Sequence, residues 1–261
     1  MMIADDRKLN NNQIPTVSIL GIKVHRVDMP ATLALIREYI ASGTPHMIVT
    51  ADASSIARAQ TDEDLKSLIN DADLVTPDGI GVLWGAEKLG TPLIERVSGV
   101  EIAEQMCRLS AEDGFSIYFL GAAPGVAELA AKKMSEKHPG MKVAGTHDGY
   151  FDASRDAEIV AEVKASGAQA LLVAMGIPRQ EKLIRDNIDK LGVSVAMGVG
   201  GSFDVFSGKV RRAPKLIQKL KLEWLYRFLQ NPRGKLWKIL LLCQYRKMVL
   251  RERGKIAKAR E

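Results

Sequence analysis

Short apolar runs alternate with amphipathic segments along most of the chain, and turns bearing glycine or proline separate them. Thr16–Leu20 and Ile22–Val24, split by Gly21, predict a small hairpin. From Pro30, apolar residues recur at helical spacing through Ile40, and Gly43 supplies the stop. Met47–Thr50 reads as a buried strand, Ser54–Ala59 and Asp62–Asn70 as helices, and Leu74–Val75 as a further short strand. Helices over Gly81–Lys88 and Gly99–Ala111 flank a loop that carries Glu95 and Arg96. The alternation then becomes regular. Strand Ser116–Leu120 leads through the turn Gly121–Gly125 into a helix over Val126–Lys137, and strand Lys142–Gly145 leads into a helix over Asp156–Ala165. Strand Ala170–Ala174 precedes the turn Met175–Gln180 and a helix running to Lys190; strand Val193–Met197 precedes the glycine-rich run Gly198–Asp204. Repetition of strand, glycine turn and helix predicts an α/β fold. It is a Rossmann-like, mostly parallel sheet wound by helices, with the small hairpin at its N-terminal side.

Beyond Pro214 the pattern changes. Leu216–Gln230 has helical spacing, Asn231-Pro232 interrupts it, and Leu236, Ile239, Leu240 and Cys243 resume it. This divides the chain into a polar lead-in over 1–15 expected to be disordered, an α/β domain over 16–210, and a basic amphipathic helical appendage over 211–261. The lead-in lacks the apolar segment of a signal peptide, and no apolar run approaches the roughly 18–20 residues of a membrane span.

Charge sharpens that division. The net charge of +6 over 261 residues is unevenly spread. Residues 211–261 hold 16 Lys/Arg against three Glu, whereas the remainder holds 21 Lys/Arg against 28 Asp/Glu. An acidic body with a basic tail points to a tail that meets something anionic, a membrane leaflet or a nucleic acid. The two cysteines, Cys107 and Cys243, lie far apart without CxxC or Cys/His spacing, which fits a reducing compartment and argues against a disulfide framework or a structural zinc site.

The candidate chemistry collects at the predicted carboxyl ends of strands, the edge on which ligands bind in open α/β sheets. Asp78, between Pro77 and Gly79, is placed there as a general base, with the Thr50 hydroxyl at a neighbouring strand end. The competing reading makes Asp78 the cap of a helix starting at Gly79. Glycine turns at Gly121–Gly125, Gly145–Gly149, Gly176–Pro178 and Gly198–Gly201 suit a nucleotide or phosphate site, since helix N-termini there offer N–H groups to anions. None matches the GxGxxG or GxxxxGK[ST] fingerprints, which counts against a nicotinamide dehydrogenase and a P-loop enzyme. Arg96 could pair with a phosphate bidentately, or form an ion pair with Glu95 or a helix carboxylate. Asp71-Ala-Asp73 matches a DxD metal motif only superficially, because it lies upstream of the rim where capping is the better reading, and His25, His46, His138 and His147 show no ligand spacing.

Several motifs in fixed order resemble a known family. They are Thr50-Ala-Asp52, Pro77–Gly81, Glu95–Gly99, Phe119–Gly121 with Pro124-Gly125, Gly149-Tyr150, Gly176–Glu181, Gly198–Asp204, Arg212–Pro214 and Leu222–Arg227. The family is that of the bacterial glycosyltransferases of the teichoic-acid N-acetylmannosaminyltransferase, enterobacterial common antigen and capsular or exopolysaccharide group (the WecG/TagA/CpsF type). The resemblance implies an inverting hexosyltransferase that needs no metal or other cofactor. It would move a sugar from a UDP-sugar to a polyprenyl-diphosphate-linked saccharide while attached peripherally to the cytoplasmic face of the cell membrane. It makes Asp78 the catalytic base and Thr50 its partner at the sugar. It places Asp52 and Arg96 near the diphosphate, Tyr150, Gln180 and Asp204 at the uridine, and Arg227 and Arg233 in a tail that closes over the site.

Two departures from the family's pattern stand out. Asp52 occupies a position often held by Asn, and Gly234, Lys235 and Lys238 follow Arg233 where arginines are usual; lysine keeps the charge but loses the bidentate fork. The donor sugar, the acceptor saccharide and any homo-oligomeric state stay open. Two other classes compete: a nucleic-acid-binding module with a nucleotide pocket, which the acidic body disfavours, and a nucleotide-sugar dehydrogenase or epimerase, which the missing dinucleotide fingerprint disfavours.

Overall fold

A computed structural model of the chain describes residues 14–210, 214, 226 and 232–259, and of 232–238 the backbone alone. Strands β1 (Thr16–Ile19) and β2 (Ile22–His25) pair antiparallel across a tight turn in which Leu20 and Gly21 both take positive φ, 53° and 78°. Helix α1 (Met29–Ser42) starts where the Asp28 carboxylate accepts the Ala31 N–H and stops at Gly43 with φ 68°. These are the expected hairpin, first helix and glycine stop.

Six strands then form one sheet: β3 (His46–Ala51), β4 (Leu74–Pro77), β5 (Ser116–Gly121), β6 (Lys142–His147), β7 (Ala170–Ala174) and β8 (Val195–Gly198). Their order is β4-β3-β8-β7-β5-β6, and every neighbouring pair is parallel. The intervening helices are α2 (Ala53–Arg58), α3 (Glu63–Asp71), α4 (Ile80–Lys88), α5 (Gly99–Asp113), α6 (Val126–Lys137), α7 (Asp156–Ala165), α8 (Arg179–Asn187) and α9 (Ser202–Phe206). Parallel strands covered on both faces read as unbroken apolar runs, and all five residues of β7 are buried. Alternation along the strands divides the core. Val49, Tyr118 and Leu171 pack on one face with β1, β2 and α3, while Ile48, Phe119 and Leu172 pack on the other with α1, α5 and α6.

Three details differ from the sequence reading. Strand β4 continues through Pro77, which a sheet edge tolerates because the missing N–H faces no neighbour. The helix expected to reach Lys190 ends at Asn187, and β8 begins at Val195 rather than Val193, with Gly192 at φ 69° in the turn between them. The run Gly198–Asp204 closes into the short helix α9 from Ser202.

At the C-terminal side, α10 (Pro232–Lys258) is one helix of 27 residues, with Pro232 at its first position, where proline is accommodated. It lies against α2 and α4, and its contact stripe of Leu242, Tyr245, Val249 and Ile256 joins the core on the β1–β2 side of the sheet. Tyr245 crosses α4 at Gly85, where any side chain would collide with its hydroxyl. The expected helix over Leu216–Gln230 lies outside the described residues.

Candidate active site

The register of β3 and β4 sets the centre of the site. Thr50 lies opposite Thr76 and Ala51 opposite Pro77, and the Asp78 N–H continues the ladder onto Ala51 O at 2.9 Å. Because strand side chains alternate, Asp78 falls on the same face as Thr76, and Thr50 joins them. The loop before α5 closes over this pair, tied down by the Val97 N–H on Pro77 O at 2.9 Å. Gly99, the first residue of α5, comes so near that a methyl there would stand 3.2 Å from Thr50 Oγ1 and 3.7 Å from Asp78 Oδ2. Its N–H donates to Asp78 Oδ2 at 3.1 Å.

The capping alternative for Asp78 is thereby corrected. Helix α4 starts from Gly79 at φ 100° without any side-chain cap, and the carboxylate turns to the N-terminus of α5 instead. A carboxylate is favourably placed at that positive helix end. Thr50 and Asp78 are each partly exposed. The Ser98 and Thr76 hydroxyls beside them are buried without a hydrogen-bond partner among the described residues.

Arg96 sits in the same loop and pairs with Glu101 in the first turn of α5, Nη2 to Oε1 at 3.0 Å. The helix-carboxylate alternative for Arg96 is therefore realised; Glu95 is engaged elsewhere, accepting the Met29 N–H at 2.7 Å. Asp52 caps α2, its Oδ1 accepting the Ser55 N–H at 2.6 Å and the Ser54 hydroxyl at 2.7 Å, in a capping box with Ser55. Its charge is thus partly absorbed by local donors. Asp71 accepts from Ser67, and Asp73 holds the Met47 N–H at the opposite, amino end of the sheet, so the DxD run is structural.

The remaining candidates occupy the other half of the rim. With neighbouring strands about 4.8 Å apart, the ends of β4 and β6 are separated by roughly 24 Å, and those of β4 and β7 by roughly 14 Å. The loop after β6 shortens that gap by leaning inward. Gly149 donates its N–H to Ala122 O at 2.8 Å, and a methyl there would stand 3.0 Å from Gly121 Cα and 3.2 Å from Met175 Cγ. Tyr150 follows it, 74% exposed and available to a flat ring. Asp204 is half-buried in the first turn of α9, beside the turn at Gly200 and Gly201.

Gln180 is placed differently from the rest. It is 3% exposed, its amide oxygen accepts the N–H groups of Gly176 and Gly200, both at 3.0 Å, and its amide nitrogen donates to Glu181. Both ends of the amide are taken by the protein. The structure therefore brings Thr50, Asp78 and Arg96 together at β3, β4 and α5, and Tyr150 and Asp204 onto the half formed by β5–β8. Arg227 lies outside the described residues, and Arg233 is described only as the second residue of α10.

Two features escaped the sequence reading. The Gly99 N–H comes from a helix 21 residues after Asp78, and only the glycine in Ser98-Gly99 hinted at close approach. Glu181 is 3% exposed, and burial pushes its carboxyl up to about 7, against the opposing hydrogen bond from Gln180. Nothing in its position near a helix start distinguishes it from a solvated acid. Among the described residues, no three His, Cys, Asp or Glu side chains gather as a metal site.

The model of the glycosyl transferase WecG/TagA/CpsF family matches residues 17–259. A protein of Bacillus spizizenii strain W23 named N-acetylglucosaminyldiphosphoundecaprenol N-acetyl-beta-D-mannosaminyltransferase is 34% identical over 194 residues, covering 74% of this chain and 75% of the relative. A Staphylococcus aureus strain MW2 protein of the same name is 32% identical over 217 residues, 82% of this chain and 85% of its own length.

Proposed function

The chain belongs to the WecG/TagA/CpsF family and is a glycosyltransferase, and on that premise we propose that it transfers a sugar from a UDP-sugar to a polyprenyl-diphosphate-linked saccharide with inversion and without a metal. The names of the relatives favour N-acetylmannosamine as the sugar and an N-acetylglucosaminyl-diphosphoundecaprenol as the acceptor. The observation that carries the reading is the convergence of Asp78, Thr50 and the α5 N-terminus at adjacent strand ends.

In this mechanism the Asp78 carboxylate takes the proton of the acceptor hydroxyl as that oxygen bonds to the anomeric carbon. The anomeric carbon–phosphate oxygen bond breaks on the opposite face, and UDP leaves with the electron pair. The Gly99 N–H holds the carboxylate in place through Oδ2. The Thr50 hydroxyl is near enough to fix the sugar. Negative charge growing on the diphosphate is met by Arg96, whose pairing with Glu101 holds it at the loop, and by cations of the tail, Arg227 and Arg233. Tyr150 and Asp204 border the half of the rim assigned to the uridine. No helix among the described residues is long and apolar enough to cross a membrane, and a peripheral association through the basic appendage accords with a lipid-linked acceptor.

The test is turnover by Asp78→Ala. Transfer should fall by at least about a thousandfold, within the range of a lost general base, while UDP still binds. Near-wild-type turnover would remove Asp78 from the mechanism. Full activity in excess EDTA is expected from a metal-independent enzyme, and loss of activity restored by a divalent cation would refute that part.

A further inference from the structure

The two glycine turns that follow β7 and β8 are held from beneath by adjoining side chains. Gln180 Oε1 accepts from Gly176 in one turn and Gly200 in the other. Two N–H donors on one atom require it to be the oxygen, so the amide nitrogen must face the opposite way. There it meets Glu181 Oε1 at 2.6 Å. The space is closed by Gly198 at the end of β8, where a methyl would stand 2.9 Å from both Gln180 Cδ and Glu181 Oε1. Arg58 ties the first turn from another side, Nη1 to Ile177 O at 3.3 Å.

Glu181 is a costly residue to keep there. Its Oε2 is buried without a hydrogen-bond partner among the described residues, and a buried acid with one bond to an amide does not recover its hydration. An apolar side chain would fill the space at less cost but would leave the Gln180 nitrogen without an acceptor. The amide would then be anchored at its oxygen end alone, and its tilt against the two glycine N–H groups, and with it the shape of both turns, would loosen.

We propose that Glu181 is a positioning residue for donor binding: it fixes the orientation of the Gln180 amide and, through it, the shape of the two turns against which the UDP portion of the donor rests. This rests on the assignment of that rim to the donor. Gln180 accordingly acts from under the site, through Gly176 and Gly200, rather than by touching the uracil.

The test compares the full-length wild type with Glu181→Leu, Glu181→Gln and Gly198→Ala, using UDP as the calorimetric probe and measuring KM for donor and acceptor separately. Glu181→Leu should weaken UDP binding and raise donor KM by about tenfold, the scale of one lost buried hydrogen bond, with acceptor KM unchanged. Glu181→Gln retains an acceptor oxygen for Gln180 and should stay within about threefold of wild type, well short of the loss in the leucine variant. Gly198→Ala should reproduce the donor defect without any change of charge. Wild-type UDP affinity in Glu181→Leu, equal rises in both KM values, or a glutamine variant as defective as the leucine one would each overturn the inference. Should Glu181→Leu fail to fold, wild-type UDP affinity in Gly198→Ala overturns it instead. A wild-type protein that does not bind UDP would overturn the donor assignment itself.

Discussion

Glu181 and His25 are buried ionisable groups whose titrations oppose each other. Burial raises the Glu181 carboxyl from 4.5 to about 7, so the folded state holds that proton more tightly than the unfolded chain. Its contribution is therefore fully favourable below about 4.5 and is lost as pH rises through about 7. His25, chiefly by burial, is lowered from 6.5 to about 4, with its Nδ1 accepting the Val75 N–H at 3.0 Å. Its contribution is present above 6.5 and is lost as pH falls through about 4. Between about pH 4.5 and 6.5 the two slopes offset. Glu181→Gln removes one of them, so urea unfolding at pH 8 should find this variant more stable than wild type by up to about 3 kcal/mol, with little difference at pH 5. Equal stabilities at pH 8 would mean the carboxyl is not desolvated. This also marks what the sequence could say about the site. The placement of Thr50 and Asp78 near neighbouring strand ends was legible from the apolar runs before them. Spacing left Asp78 open between base and helix cap, and the resemblance supplied its role. The burial of Gln180 and Glu181 was not legible, because residues at a helix start normally face water, and only the packing of β8 against α8 buries them.

At the scale of elements, the parallel sheet was legible because strands buried on both faces show as apolar runs, of which Ala170–Ala174 is the plainest. Neighbour order was not, since nothing within β8 states that it inserts between β3 and β7. The packing of α10 was hidden for a related reason. Leu242, Tyr245 and Val249 make a recognisable stripe, but its partner, Gly85 on α4, is a residue without a side chain. That crossing yields a paired prediction. The Tyr245 hydroxyl is buried with no partner among the described residues, so Tyr245→Phe should leave thermal stability unchanged or raise it by about 1 kcal/mol. Gly85→Val pushes side-chain atoms into the space of that ring and should cost about 1–3 kcal/mol, seen as a lower melting temperature and faster proteolysis within α10. A neutral Gly85→Val would show that the two helices are not in contact in solution.

For the molecule as a whole, the charge asymmetry and the packing of α10 must be satisfied together. The helix commits Tyr245 and Val249 to the body, yet leaves Arg246, Lys247, Arg251, Arg253, Lys255 and Lys258 exposed, with Leu240 and Leu250 exposed on the same helix. A docked helix with cations and scattered leucines outward can meet an anionic leaflet without undocking, and it adjoins α2, whose first turn lies at the rim beside Thr50. A lipid-linked acceptor would then reach the site from the surface to which the enzyme is held. Near an anionic surface each Lys or Arg contributes about 1 kcal/mol. Neutralising Arg246, Lys247, Arg251 and Arg253 to Gln should therefore weaken sedimentation with phosphatidylglycerol vesicles by about a hundredfold or more. Melting temperature and turnover with a water-soluble acceptor should hardly change, because none of the four side chains is buried. Raising salt should release the wild type progressively, since exposed charges are screened over about 8–10 Å at physiological ionic strength. Vesicle binding that ignores both the substitutions and salt would place the membrane contact elsewhere on the protein, and no vesicle binding by the wild type would remove it.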